Sequence, residues 1–167
     1  MAIRKLVYYP DPLLKEQTEL VTNFDSSLTT LLDDMAETMY ASQGIGLAAP
    51  QIGELLRVTV IDVGEEKPEL IEFINPQIVS ANGKTSSEEG CLSIPEYRET
   101  VSRNDTITVE AFNRSGEPFT LEADNILAIC LQHEIDHLDG VLFTDRLSPL
   151  KRRLFKKWYN KVGPFGE

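Results

Sequence analysis

Histidine, cysteine and tryptophan are scarce in these 167 residues, which hold two, two and one of them. Two cysteines, Cys91 and Cys130, cannot build the disulfide framework of a small secreted domain, so a reducing, cytoplasmic setting is expected. No apolar run reaches about 18 residues, the length that marks a transmembrane helix. The opening segment MAIRKLVYYPDP has no continuous apolar stretch, and a secretory leader is not expected. Basic charge is scarce too: 16 Lys and Arg stand against 27 Asp and Glu, for a net charge of −11. That balance argues against a protein whose whole surface grips nucleic acid, and neither a DNA nor a membrane partner is expected. What is present, 41% apolar and 26% charged residues, suits an ordinary folded chain. The length suits one core, so one domain over residues 1–167 is expected.

The charge is unevenly spread. Lys151, Arg152, Arg153, Lys156, Lys157 and Lys161 crowd the C-terminal segment, which has one acid, and the rest of the chain is the more acidic for it. Such a cluster can touch an anionic partner such as RNA; the plainer alternative is a solvated helix face.

The pattern along the chain predicts α+β structure. Asp25 and Ser26 can cap a helix whose Leu28, Leu31, Leu32, Met35 and Met39 recur at helical spacing. The small-residue run Gly44 to Gly53 cannot be a regular helix. Leu56 to Val63 and Leu70 to Ser80 read as strands, with Pro76 marking an edge or a bulge. Thr106 to Phe112 and Phe119 to Glu122 predict a hairpin across Asn113 to Gly116. Asp124 can cap a second helix that Gly140 ends, and Ser148-Pro149 can start a third. The stripe Leu150, Leu154, Trp158 and Val162 is expected to be this last helix's docking surface. Strands joined by turns, with helices at the ends and between, are not a βαβ alternation.

The second helix carries His133-Glu134-Ile135-Asp136-His137, and these are the only two histidines. Histidines at i and i+4 share one face, about 6 Å apart along the axis, and can share a metal ion. Glu134 beside them can act as a base toward water. The alternative is a pair of satisfied core or surface histidines. A catalytic metal usually takes three protein ligands, so the third must be a thiolate or a carboxylate. Phe143 stands where the extended metzincin pattern needs a histidine. From Arg146 to Gly166 there is no acid to supply the later glutamate of a thermolysin-like site. Cys130 is seven residues before His137, a rise of about 10.5 Å, too far to share one ion with it. It is expected to line a pocket beside the metal. Cys91, in Glu88-Glu89-Gly90-Cys91-Leu92-Ser93-Ile94-Pro95, is the other candidate thiolate, or else a small buried hydrophobe. Cysteine with two histidines suits zinc or ferrous iron better than magnesium or calcium. Gly44, Gly46 and Ala49 satisfy a dinucleotide-binding GxGxxA literally, but a helix precedes them and Pro50 interrupts the helix that should come after. Those small residues more plainly allow close backbone approach, or form a structural turn.

Three segments taken together resemble the peptide deformylase family: Gly44-Ile45-Gly46-Leu47-Ala48-Ala49-Pro50-Gln51, Glu89-Gly90-Cys91-Leu92-Ser93, and Gln132-His133-Glu134-Ile135-Asp136-His137-Leu138-Asp139-Gly140. The resemblance implies antiparallel strands packed around a central HExxH helix, with one helix near each end of the chain. It implies removal of the N-formyl group from the formyl-methionine that starts a nascent polypeptide. By the same resemblance, Cys91, His133 and His137 hold one divalent metal ion, with ferrous iron the native choice and zinc, nickel or cobalt able to replace it. Glu134 is then the base, and the Gln51 amide and the Leu92 backbone N–H steady the oxyanion. Ile45, Gly46, Glu89, Ile126, Ile129 and Cys130 surround the methionine side chain. Ribosome contact through the basic C-terminal helix is a further implied partner.

Overall fold

Asp25 caps the first helix, its carboxylate accepting the Leu28 N–H at 3.2 Å. That helix, α1, spans Ser26–Ala41. Its predicted stripe is buried as one face, with Leu32, Met35 and Met39 fully enclosed. The computed structural model describes residues 2–166; Met1 and Glu167, the ends of the expected 1–167 domain, lie outside the described residues. The strands are β1 Gly46–Ala48, β2 Val58–Asp62, β3 Leu70–Asn82, β4 Thr85–Cys91, β5 Ile94–Arg103, β6 Thr106–Phe112 and β7 Pro118–Asp124. Helix α2 is Asn125–Leu138 and helix α3 is Pro149–Val162.

Five strands form one antiparallel sheet in the order β1-β2-β3-β6-β7, and β4 and β5 form a separate two-stranded hairpin. Strand alternation sorts side chains between two helices. Val58 and Val60 of β2 and Ile74 of β3 join the cluster around α1. Ile61 of β2 and Phe73 of β3 join the cluster around α2. Side chains one residue apart point to opposite faces of a sheet, so this division is what period two requires. The antiparallel sheets and three α-helices are the α+β architecture expected from the sequence.

Pro76 lies within β3, between β2 and β6, where the register slips between Ile74 and Gln77. It therefore marks a bulge and not an edge: a residue without an N–H cannot sit in a regular ladder. The small-residue run holds β1 and a short 3₁₀ turn, Ala49–Ile52. The hairpin of β4 and β5 was not foreseen, because Ser86, Ser87, Glu88 and Glu89 hide strand structure under polar side chains.

Two local expectations need correction. Asp124 sits at the start of α2, but its side chain makes no capping hydrogen bond. Of the apolar stripe of α3 only Trp158 docks: Leu150, Leu154 and Val162 are 58%, 54% and 48% exposed, whereas Phe155, outside the stripe, is buried. Aromatic packing turns the helix this way. The ring centroid of Phe155 lies 4.9 Å from Tyr9 and 4.8 Å from Tyr97, and Trp158 is 4.8 Å from Tyr97. Burying such rings, with edge and tilted contacts, outweighs burying two leucines. Ser148 does cap this helix, accepting the Lys151 N–H at 3.2 Å.

Candidate active site

Helix α2 brings His133 and His137 onto one face, and their ring centroids are 5.0 Å apart. The β4–β5 turn brings Cys91 to the same place, with Sγ 3.3 Å from His137 Nε2. One donor atom from each of Cys91, His133 and His137 lies within 4.8 Å of the others. A partly buried soft sulfur and two buried imidazoles that converge suit a zinc- or iron-type ion, so these residues fit a metal. Cys130, as expected, stays outside this set. It is buried, with Sγ 3.9 Å from the Ile45 carbonyl.

Glu134 and His137 each keep a buried atom, Oε1 and Nδ1, without a hydrogen-bond partner among the described residues. Buried carboxylate oxygens are seldom left this way, and an unpartnered one beside a donor cluster points to a species that completes the site. Burial is the main cause that pushes the Glu134 carboxyl up to about 7. Strand β1 closes on this group. A side chain at Gly46 would place its Cβ 2.6 Å from Glu134 Oε2 and 2.9 Å from Cys130 Sγ. Only glycine lets the backbone approach so closely, which accounts for one member of the small-residue run.

Behind the donors is a charge network. His133 Nδ1 is 3.0 Å from Glu89 Oε1, which leaves its other ring nitrogen for the cluster. Glu89 accepts two hydrogen bonds from Arg103, at 2.8 and 2.9 Å. Burial alone would raise the Glu89 carboxyl; the Arg103 guanidinium and His133 overcome this and bring it down to about 2. Arg103 also donates to Asp136 at 2.6 Å, and Asp136 accepts twice from Arg146. A ligating histidine is commonly oriented by such a carboxylate.

In front is a cleft of about 960 Å³. Ile45, Gly46, Gln51, Glu89, Cys91, Leu92, Ile126, Ile129, Cys130, His133 and Glu134 all line it, so the structure gathers every expected site residue except His137 at one opening. Ile45 and Ile126, about half exposed, stand at its rim. Gln51 Nε2 reaches to 3.5 Å from Cys91 Sγ.

A family model described as polypeptide deformylase matches residues 3–153. The chain belongs to the polypeptide deformylase family. The peptide deformylase of Pseudoalteromonas translucida (strain TAC 125) is 48% identical, over 100% of each chain. That of Acidobacterium capsulatum is 50% identical, over 100% of this chain and 99% of its own. Among solved structures, the fold matches a crystal structure of a peptide deformylase from Legionella pneumophila with a TM-score of 0.91 and 51% identity, covering 96% of this chain and 95% of that one. The deformylase family is metal-dependent, and the Cys-His-His cluster is where a metal fits this chain.

Sequence reading missed Arg103, Asp136 and Arg146. Asp136 stood inside the HExxH segment, an acid on an otherwise buried helix, and that was a signal. Nothing local marked Arg103, which meets Asp136 across 33 residues of chain.

Proposed function

We propose that this chain is a metal-dependent hydrolase that removes the N-formyl group from the N-terminal formyl-methionine of new polypeptides and releases formate. The observation that carries this reading is the convergence of Cys91, His133 and His137 beside a buried Glu134 with a free oxygen. Membership of the deformylase family supports it.

Cys91, His133 and His137 would hold one divalent ion. When bound, the ion supplies a Lewis acid that makes water nucleophilic near neutral pH and polarises a carbonyl. Ferrous iron is the native ion in this reading, and zinc, nickel or cobalt can take the same donors. Glu134 accepts a proton from the attacking water and returns it to the departing amine as the formamide C–N bond breaks. The Gln51 amide and the Leu92 N–H face the charge that grows on the formyl oxygen. Losing one such donor typically costs about 2.7–4 kcal/mol of barrier. Ile45, Gly46, Glu89, Ile126, Ile129 and Cys130 enclose the methionine side chain, where apolar walls and a sulfur suit a thioether.

The whole of residues 1–167 acts as one catalytic domain organised around α2. None of the helices among the described residues is long and apolar enough to cross a membrane. The enzyme works in the cytoplasm, and the basic face of α3 touches the ribosome. The deciding experiment is formate release from formyl-Met-Ala-Ser by anaerobically prepared protein, with metal content measured alongside. Stoichiometric metal without formate would overturn the reading. Cleavage of unformylated peptides would indicate a peptidase instead.

A further inference from the structure

We propose that Ser93 is a positioning residue that aims the Gln51 amide at the reacting carbonyl; this rests on the reading of Gln51 as an oxyanion donor. Ser93 is fully buried and directly follows Leu92 in the turn between β4 and β5. Its Oγ lies 3.2 Å from Gln51 Nε2. Gln51 itself is 1% exposed, and its Oε1 accepts the Ala48 N–H at 2.9 Å.

A primary amide has one acceptor end and two N–H donors on the other. With the oxygen held by Ala48, the nitrogen must point toward the β4–β5 turn. The Ser93 hydroxyl takes one of its N–H groups. The second is then left for the side of Cys91, whose Sγ is 3.5 Å from the same nitrogen. The terminal torsion of glutamine is broad on its own, so the hydroxyl adds to the Ala48 contact a second restraint that narrows this aim.

The two backbones are held together independently. The Val7 N–H donates to the Gln51 carbonyl at 2.7 Å, and the Tyr9 N–H donates to the Ser93 carbonyl at 2.9 Å. One stretch of the N-terminal segment thus spans both residues and fixes the separation across which the hydroxyl and the amide meet.

The test combines kinetics with a readout that needs no turnover. Ser93→Ala is expected to lower kcat roughly 10–100-fold, the scale of a misplaced catalytic donor, with KM and metal content near the parent's. Gln51→Ala should lower kcat at least as much, and the double variant should be no slower than Gln51→Ala alone. In zinc-loaded, ¹⁵N-labelled protein, the Gln51 side-chain proton held by Ser93 should exchange with water more slowly than its partner, faster in Ser93→Ala, and slowly again in Ser93→Thr. Additive losses in the double variant, with Gln51→Ala itself impaired, would overturn the role of Ser93 alone. Full kcat in Gln51→Ala would overturn the oxyanion reading and the proposal with it. Should Ser93→Ala not fold, equally rapid exchange of both Gln51 amide protons in the parent protein would still overturn the proposal.

Discussion

Glu134 is enclosed by β1 on one side and by the donor cluster on the other. Replacing it with glutamine keeps its shape and removes its capacity to carry a proton. Glu134→Gln is therefore expected to retain metal near the parent level and to lose turnover by roughly 10²–10⁴-fold. Metal analysis beside a formate assay checks this; parallel loss of metal and activity would mark Glu134 as structural. The two cysteines separate in the same way. Cys91→Ser is expected to lose most bound metal, and Cys130→Ala to keep it while changing substrate affinity, because only Cys91 lies within the cluster with both histidines. At this scale the sequence was informative where a residue type was rare or its spacing fixed. Two histidines four apart and two cysteines left few arrangements to choose from. Ser93 gave no such signal, because its partner Gln51 is 42 residues away and serines are common.

Among the elements, the β4–β5 hairpin and α2 are joined by buried charge. Arg103, 6% exposed, answers both Glu89 and Asp136. Arg103→Met is expected to destabilise the fold by about 3–5 kcal/mol, since it leaves the buried Glu89 without its main partner and Asp136 with Arg146 alone. It should also weaken metal retention, because Glu89 is what orients His133. Denaturant unfolding and metal competition with a chelator measure the two effects, and an unchanged midpoint would show the carboxylates re-paired or neutral. Most elements were legible beforehand. The stripes of α1 and the branched residues of β2 follow directly from burial on one face or both. The hairpin was not legible because strand pairing needs only backbone, and its outward side chains are polar. The orientation of α3 was misread because aromatic partners on Tyr9 and Tyr97, far away in sequence, decided which face turned inward.

At the scale of the whole molecule, the N-terminal segment is tied to α1 by charge. Arg4 Nε donates to Asp34 Oδ2 at 2.8 Å, and the Ala2 N–H donates to Oδ1 at 2.7 Å. The Arg4 hydrogen bond is the chief cause that lowers the Asp34 carboxyl below its ordinary value of 3.8. A lowered folded value means that the contribution to stability is complete above 3.8 and is lost as pH falls through the folded value. Asp34→Asn is accordingly expected to melt below the parent at pH 7, by about 1.5–3 kcal/mol of stability, the scale of hydrogen bonds to charged groups. The gap should close as pH falls through that folded value. Thermal melts of both proteins across that range check it, and a gap that persists in acid would assign the difference to packing.

The converging side chains of the cleft come from stretches far apart along the chain. Cys91 meets His137 across 46 residues and Gln51 meets Cys91 across 40. The two histidines need only one turn of α2 to line up, so a nascent helix already offers half a chelate. The thiolate arrives only when the hairpin has docked, and closing a loop of that length costs about 3 kcal/mol of chain entropy. Tight metal capture therefore reports the docking of the hairpin onto α2 and not the formation of the helix alone. Since the ion favours only the docked state, its free concentration acts as a lever on folding by mass action.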